Sequence, residues 1–196
     1  ERYADAHGFP RRQPIPRLTE LDDIAAARAY AASPHEPGHP QVARSYRSFR
    51  QHIAQQWDML TNAGSRLEPW HGQSEQPYAD SAAMLDDLRQ NRHLFYFRTE
   101  VSQHTEGALP PDHPMAKTVT VTMPDGQREP MVANDVFRAV HDAIAHSEGH
   151  QFGPYGEKRA WWTHRACLPR EARLALWCET RGQNCWTCLL YTSPSP

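Results

Sequence analysis

The sequence predicts an α+β fold, mainly helical, in which a small antiparallel sheet or hairpin packs on a helical C-terminal half. Three observations predict it. Residues 41–63 carry Val42, Tyr46, Phe49, Ile53, Trp57 and Leu60 three or four apart, the stripe of an amphipathic helix. Residues 117–123, KTVTVTM, alternate as a strand does, and PDG turns the chain toward REPMVA, a return strand. From Asn134 onward, helical patterns dominate.

The elements follow in order. Residues 1–17 read as an irregular arm, because RRQPIPR holds too much proline for a helix. Thr19 caps ELDDIAAARAYAA, whose acids favour a first turn, and SPHEPGHP ends it. After the 41–63 helix, Asn62 and Gly64 mark a stop. Ser81 caps a third helix, AAMLDDLRQN, and HLFYFRT (93–99) is a short buried strand. Asn134 or Asp135 caps VFRAVHDAIAHSE, and GHQFGPYG is a loop. Helices over 156–167 and 169–179 complete the pattern, with Pro169 in the first turn of the second and Gly182 as a left-handed stop beyond it.

A chain of 196 residues with 39% hydrophobic and 22% charged side chains supports one packed core with extensions. The expected organisation is the arm to residue 17, a helical region 18–70, a metal-site domain 71–188 and a tail 189–196. That tail, LLYTSPSP, fits nothing before it and resembles translated adapter sequence, so a non-native read-through is expected there. A formal net charge of -2 gives no general basic field for nucleic acid. Arg44, Arg47 and Arg50 form a short basic strip, read as the solvated face of the second helix. No apolar run reaches membrane length, and no secretion leader opens the sequence. All four cysteines lie between 167 and 188; CWTC has zinc-like spacing but needs a second pair.

Metal-competent side chains concentrate in FRAVHDAIAHSEGH, residues 137–150. His141 and His146 are five apart, about 140° around a regular helix, so they meet one ion only if the helix widens or ends between them. Asp142, His146 and His150 are four apart and share a face, which makes a competing set. Downstream stand Glu157, Trp161 and His164, and then ETRGQN, where Glu179 opposes a helix dipole unless a cation lies nearby. Two imidazoles and a carboxylate suit iron(II) with open positions, or zinc with an activated water.

Four stretches carry a resemblance: PYADSAAMLDDLRQNRHLFYF, NDVFRAVHDAIAH, FGPYGEKRAWWTH and EARLALWCETRGQNCW. Over residues 77–186 they are similar to an uncharacterised domain of tailed-phage and metagenomic viral proteins, patterned VFRAVHDYFGH, GEENAW, ETRGQNSW. The resemblance implies a virion or host-cytoplasm setting, with other virion proteins as partners, but no activity. Cys185 stands where that pattern has serine. HDAIAH is also similar to the HELLGH iron motif of pterin-dependent aromatic amino acid hydroxylases. That likeness implies His141, His146 and Glu179 as ligands of a divalent metal, Fe(II) or Zn(II).

The expected roles follow. His141, His146 and Glu179 hold the ion; Glu157, His164 and Asp142 act as acid, base or ligand support; Arg181, Gln183 and Asn184 bind an unidentified substrate. The reaction is oxygenase- or hydroxylase-like with iron, or hydrolytic with zinc. An HD-type phosphohydrolase needs further ligands, for which His93, His104 and Asp112 are available. A non-catalytic virion structural or interaction module is the alternative.

Overall fold

A computed structural model describes residues 2–9, 14–72, 76–102 and 108–191. The fold is α+β and mainly helical, with one parallel and one antiparallel pair of strands. No helix among the described residues is long and apolar enough to cross a membrane. His104 and residues 192–196 of the expected read-through tail lie outside the described residues.

The opening arm is not wholly irregular. Residues before the prolines form α1 (Arg2–His7), which buries Tyr3 and Ala4. Helix α2 (Glu20–Ala32) begins at Thr19 in a capping box: Thr19 Oγ1 accepts from Asp22 N, and Asp22 Oδ2 accepts from Thr19 N at 2.7 Å. Helix α3 (Pro40–Asn62) starts on a first-turn proline, which fixes φ and sacrifices no hydrogen bond there. Its stripe is buried as the spacing requires, with Phe49, Ile53 and Trp57 fully inaccessible.

Strand β1 (Arg66–Pro69), helix α4 (Ser81–Gln90) and strand β2 (His93–Tyr96) form a crossover unit, with β1 and β2 parallel. β1 falls inside the region expected to be helical; the four-residue RLEP shows no usable alternation. The cap of α4 is Asp80, one residue before Ser81, because its carboxylate accepts from Ala83 N at 2.8 Å. Strands β3 (Thr118–Thr122) and β4 (Arg128–Val132) form the expected hairpin. It is fastened chiefly to α3: Trp57 Nε1 donates to the Thr122 carbonyl at 2.9 Å, and Asp58 accepts from Thr122 N at 2.6 Å.

Helix α5 (Ala133–Ala145) follows β4 without a side-chain cap. Asn134 and Asp135, expected as caps, instead reach Thr99 beyond β2. Helix α6 (Pro154–Ala166) packs on α5, and both share one core with α3 and α7. The C-terminal segment does not stop at 179. A short 3-10 turn leads into α7 (Arg173–Trp177), a π-turn (Cys178–Gly182), α8 (Gln183–Trp186) and a second π-turn (Thr187–Tyr191). Gly182 is therefore not a left-handed stop: its φ is -62°. Its role is clearance, since a Cβ there would lie 2.7 Å from the Tyr30 ring and 3.0 Å from that of Trp177. Beyond the π-turn, Cys185 packs against Ala26 and Ala27 of α2.

Candidate metal centre

His141 lies one turn before the end of α5, and His146 is the residue on which that helix ends, with φ -86° and ψ -3°. With the helix ending there, the two rings lie 5.5 Å apart and nearly perpendicular. The loop then folds back, and His146 Nδ1 donates to the His150 carbonyl at 2.8 Å. That bond leaves Nε2 as a lone pair directed at the site. Gly156 permits the fold-back. A Cβ there would lie 1.7 Å from the Gln151 carbonyl oxygen, so only glycine lets the loop backbone rest on the first turn of α6.

The next residue, Glu157, completes the group. His141, His146 and Glu157 each bring one donor atom within 4.8 Å of the others, and this is the metal-competent group among the described residues. Glu157 Oε2 is 3.5 Å from His141 Nε2, and Oε1 is 3.4 Å from His146 Nε2. Both Nε2 atoms are buried and have no hydrogen-bond partner. These separations are long for a hydrogen bond, whose mode is about 2.9–3.0 Å. Each imidazole faces a different carboxylate oxygen, and the space between the three groups can hold an ion with bonds of about 2.0–2.2 Å.

The three groups are electrostatically coupled. Burial pushes the Glu157 carboxyl up, but the flanking imidazoles outweigh it and hold it down at about 2. Burial pulls His146 down, yet Glu157, the His150 carbonyl and Asp142 together raise it. Asp142 is driven up to about 6 by burial, against the pull of His141 and His146. Behind the donors, His141 Nδ1 lies 3.1 Å from His164 Nδ1, and His164 Nε2 lies 2.9 Å from Gln56 Oε1. His164 is fully inaccessible and is held well below its ordinary value by burial and the neighbouring histidines.

Glu157 lies on the wall between two clefts. One, of about 880 Å³, also exposes His141, Arg98, Arg138 and Asn134. The other, of about 810 Å³, exposes Asp142, Tyr78, Phe95 and Phe152. The Phe152 ring meets His146 edge-on at 5.2 Å. A much smaller hollow of about 80 Å³ beside Lys158 and Arg181 excludes the three donors.

The carboxylate in the group is thus Glu157 rather than the expected Glu179. The α6 helix packs directly on α5, whereas the π-turn carries Glu179 toward α3. There it accepts from the Tyr46 hydroxyl at 2.5 Å and lies 3.6 Å from His113. Glu179 does line the larger cleft with His141 and Glu157. His164, expected as an acid or base, reaches no solvent and instead backs His141. Asp142 lines only the aromatic cleft.

Arg181 is held by Asp23 at 2.8 Å and lies over the Trp161 ring, so its guanidinium is committed to packing. Gln183 and Asn184 do line the larger cleft. The competing set fails at His150, which pairs with Thr163 and lends only its carbonyl. Of the upstream ligands of an HD site, the described ones are engaged elsewhere: His93 pairs with Asp87 and Glu68, and Asp112 with His35. The four cysteines form no disulfides and contribute to no metal-competent group among the described residues.

Sequence reasoning missed Gln56 altogether. Its signal was a glutamine on the buried side of α3, between Ile53 and Trp57. No family model, curated protein or solved structure matches this chain.

Glu179 gives a prediction about stability. Burial raises its carboxyl from 4.5 to about 7, only partly opposed by the Tyr46 hydrogen bond. The folded state therefore holds this proton more tightly than the unfolded chain. Its contribution is full below about pH 4.5 and declines by about 3 kcal/mol as the pH rises through 7. Nearby Tyr46, Tyr30 and Cys178 stay neutral in that window, with pKa values raised by burial, and His113 is lowered by it. Glu179→Gln should flatten this dependence and stabilise the protein at pH 8. Urea unfolding at pH 5 and pH 8 reads it; parallel pH slopes for the two proteins would refute it.

Proposed function

We propose that this chain is a mononuclear metal-dependent enzyme whose His141, His146 and Glu157 hold a divalent ion at the head of two clefts. One observation carries the reading: two buried Nε2 atoms without partners face a single carboxylate at 3.4–3.5 Å. A packing network would satisfy those atoms, since buried polar groups are almost always paired. A cation satisfies both at once. That favours an enzyme over a non-catalytic virion module built on the same residues.

Two imidazoles and one carboxylate are a donor set of catalytic zinc sites. Three protein donors leave a fourth position, where a bound water becomes a nucleophile near neutral pH. Hydrolysis of a carbonyl or phosphoryl compound is then the reaction. Arg98, Arg138 and Asn134 line the cleft on the His141 side and can hold its oxygens. The second reading, an iron(II) oxygenase, draws on the same two-histidine, one-carboxylate donor set.

The test is elemental analysis of protein purified without added metal, and again after separate incubation with zinc and with iron(II) under anaerobic conditions. Zinc near one equivalent supports hydrolysis, and iron selects the oxygenase. Retention of neither metal sinks both readings.

A further inference from the structure

We propose that Gln56, acting through His164, is the positioning residue that decides which nitrogen of His141 carries the proton. The role given to the other nitrogen, binding an ion beside Glu157, rests on the metal-centre reading above.

The argument starts at a backbone carbonyl. Cys167 O can only accept, and Gln56 Nε2 lies 3.3 Å from it. The amide therefore turns its NH₂ toward Cys167 and its oxygen toward His164, an orientation assigned by the hydrogen-bond network. Gln56 Oε1 can only accept, so His164 Nε2, 2.9 Å away, must donate. A neutral imidazole has one N–H, so His164 Nδ1 is then a lone pair. His141 Nδ1, 3.1 Å from it, must donate in turn. The remaining His141 atom, Nε2, is left with its lone pair facing Glu157.

Each link is buried: Gln56 and His164 are both fully inaccessible, so no water can replace a missing partner. The opposite polarity would need Gln56 to turn its oxygen onto the Cys167 carbonyl, two acceptors in contact. It would also point an N–H from His141 at the site, where it would bond Glu157 and exclude a cation. A glutamine on α3 thereby sets the polarity of a ring on α5 that it does not touch.

The tautomers can be read without any metal by ¹⁵N-labelled imidazole NMR on the metal-free protein. Wild type should show His141 protonated at Nδ1 and His164 at Nε2. Gln56→Leu, similar in shape but without an acceptor, should reverse both rings. Gln56→Glu, whose buried carboxyl is expected to stay protonated and donate to the Cys167 carbonyl, keeps an acceptor toward His164 and should leave them unchanged.

Zinc affinity by chelator competition is the second readout. A fall of about 10- to 100-fold is expected for Gln56→Leu, the usual cost of losing such support, against a few-fold change for Gln56→Glu. A wild-type His141 protonated at Nε2, or a Gln56→Leu protein with unchanged tautomers, overturns the proposal, and the wild-type spectrum decides even if the leucine variant does not fold. Normal zinc affinity in a leucine variant with reversed rings overturns its functional half. If wild type binds no zinc or iron while the tautomers are as stated, the metal reading fails and the relay stands.

Discussion

His146→Ala should cost the protein most of its zinc affinity. Sites with four protein donors bind zinc with about 10–16 kcal/mol, so one imidazole accounts for roughly 3 kcal/mol, and the dissociation constant should rise on the order of 100-fold. The variant should still fold, at a cost. His146 is fully buried, so its loss opens a cavity and leaves the His150 carbonyl without its donor, together about 2–3 kcal/mol. The two effects separate in a thermal melt. Zinc should raise the midpoint of wild type through linkage and leave that of the variant unmoved at the same concentration. One equivalent of zinc bound by the alanine variant at wild-type affinity would remove His146 from the donor set.

Gly156→Ala should be the most damaging glycine-to-alanine change among the described residues. Two effects oppose each other. Alanine favours a helix over glycine by up to about 1 kcal/mol, and Gly156 sits in the first turn of α6 with an ordinary negative φ. Against this, the new Cβ would lie 1.7 Å from the Gln151 carbonyl oxygen and 2.6 Å from its carbon. That clash is with backbone, which cannot rotate away as a side-chain tip can. The loop must lift by more than an ångström, and the His150 carbonyl leaves His146 with it. The clash should win, with a net loss of about 3 kcal/mol or more and weaker zinc binding. Urea unfolding with zinc titration measures both. A variant at least as stable as wild type would mean that propensity alone governs this position.

The fold was legible where one period ran long enough to be read. The α3 stripe, the Thr19 cap and the β3–β4 hairpin each rest on local chemistry, and each is present. β1 was not legible, because four residues paired to a distant strand carry no period of their own. The C-terminal helix was read as ending at Gly182 because glycine commonly stops helices; here it is small so that Tyr30 and Trp177 fit.

At the site, His141 and His146 could be paired from spacing once helix termination was allowed. Glu157 is in view in the sequence, but as acid, base or ligand support, because an acid in the first turn of a helix carries no local sign that it is a ligand. What selected it over Glu179 was the packing of α6 on α5 and the course of the π-turn, neither of which is written in local sequence.

The bond from His164 to Gln56 spans 108 residues of chain. The donors themselves occupy only 141–157, a stretch short enough to cut out and graft elsewhere. Such a transplant would carry the three chelating groups and leave behind the distant amide that orients one of them. On the proposed reading the group is therefore not a portable cassette, because its orientation depends on a side chain of α3.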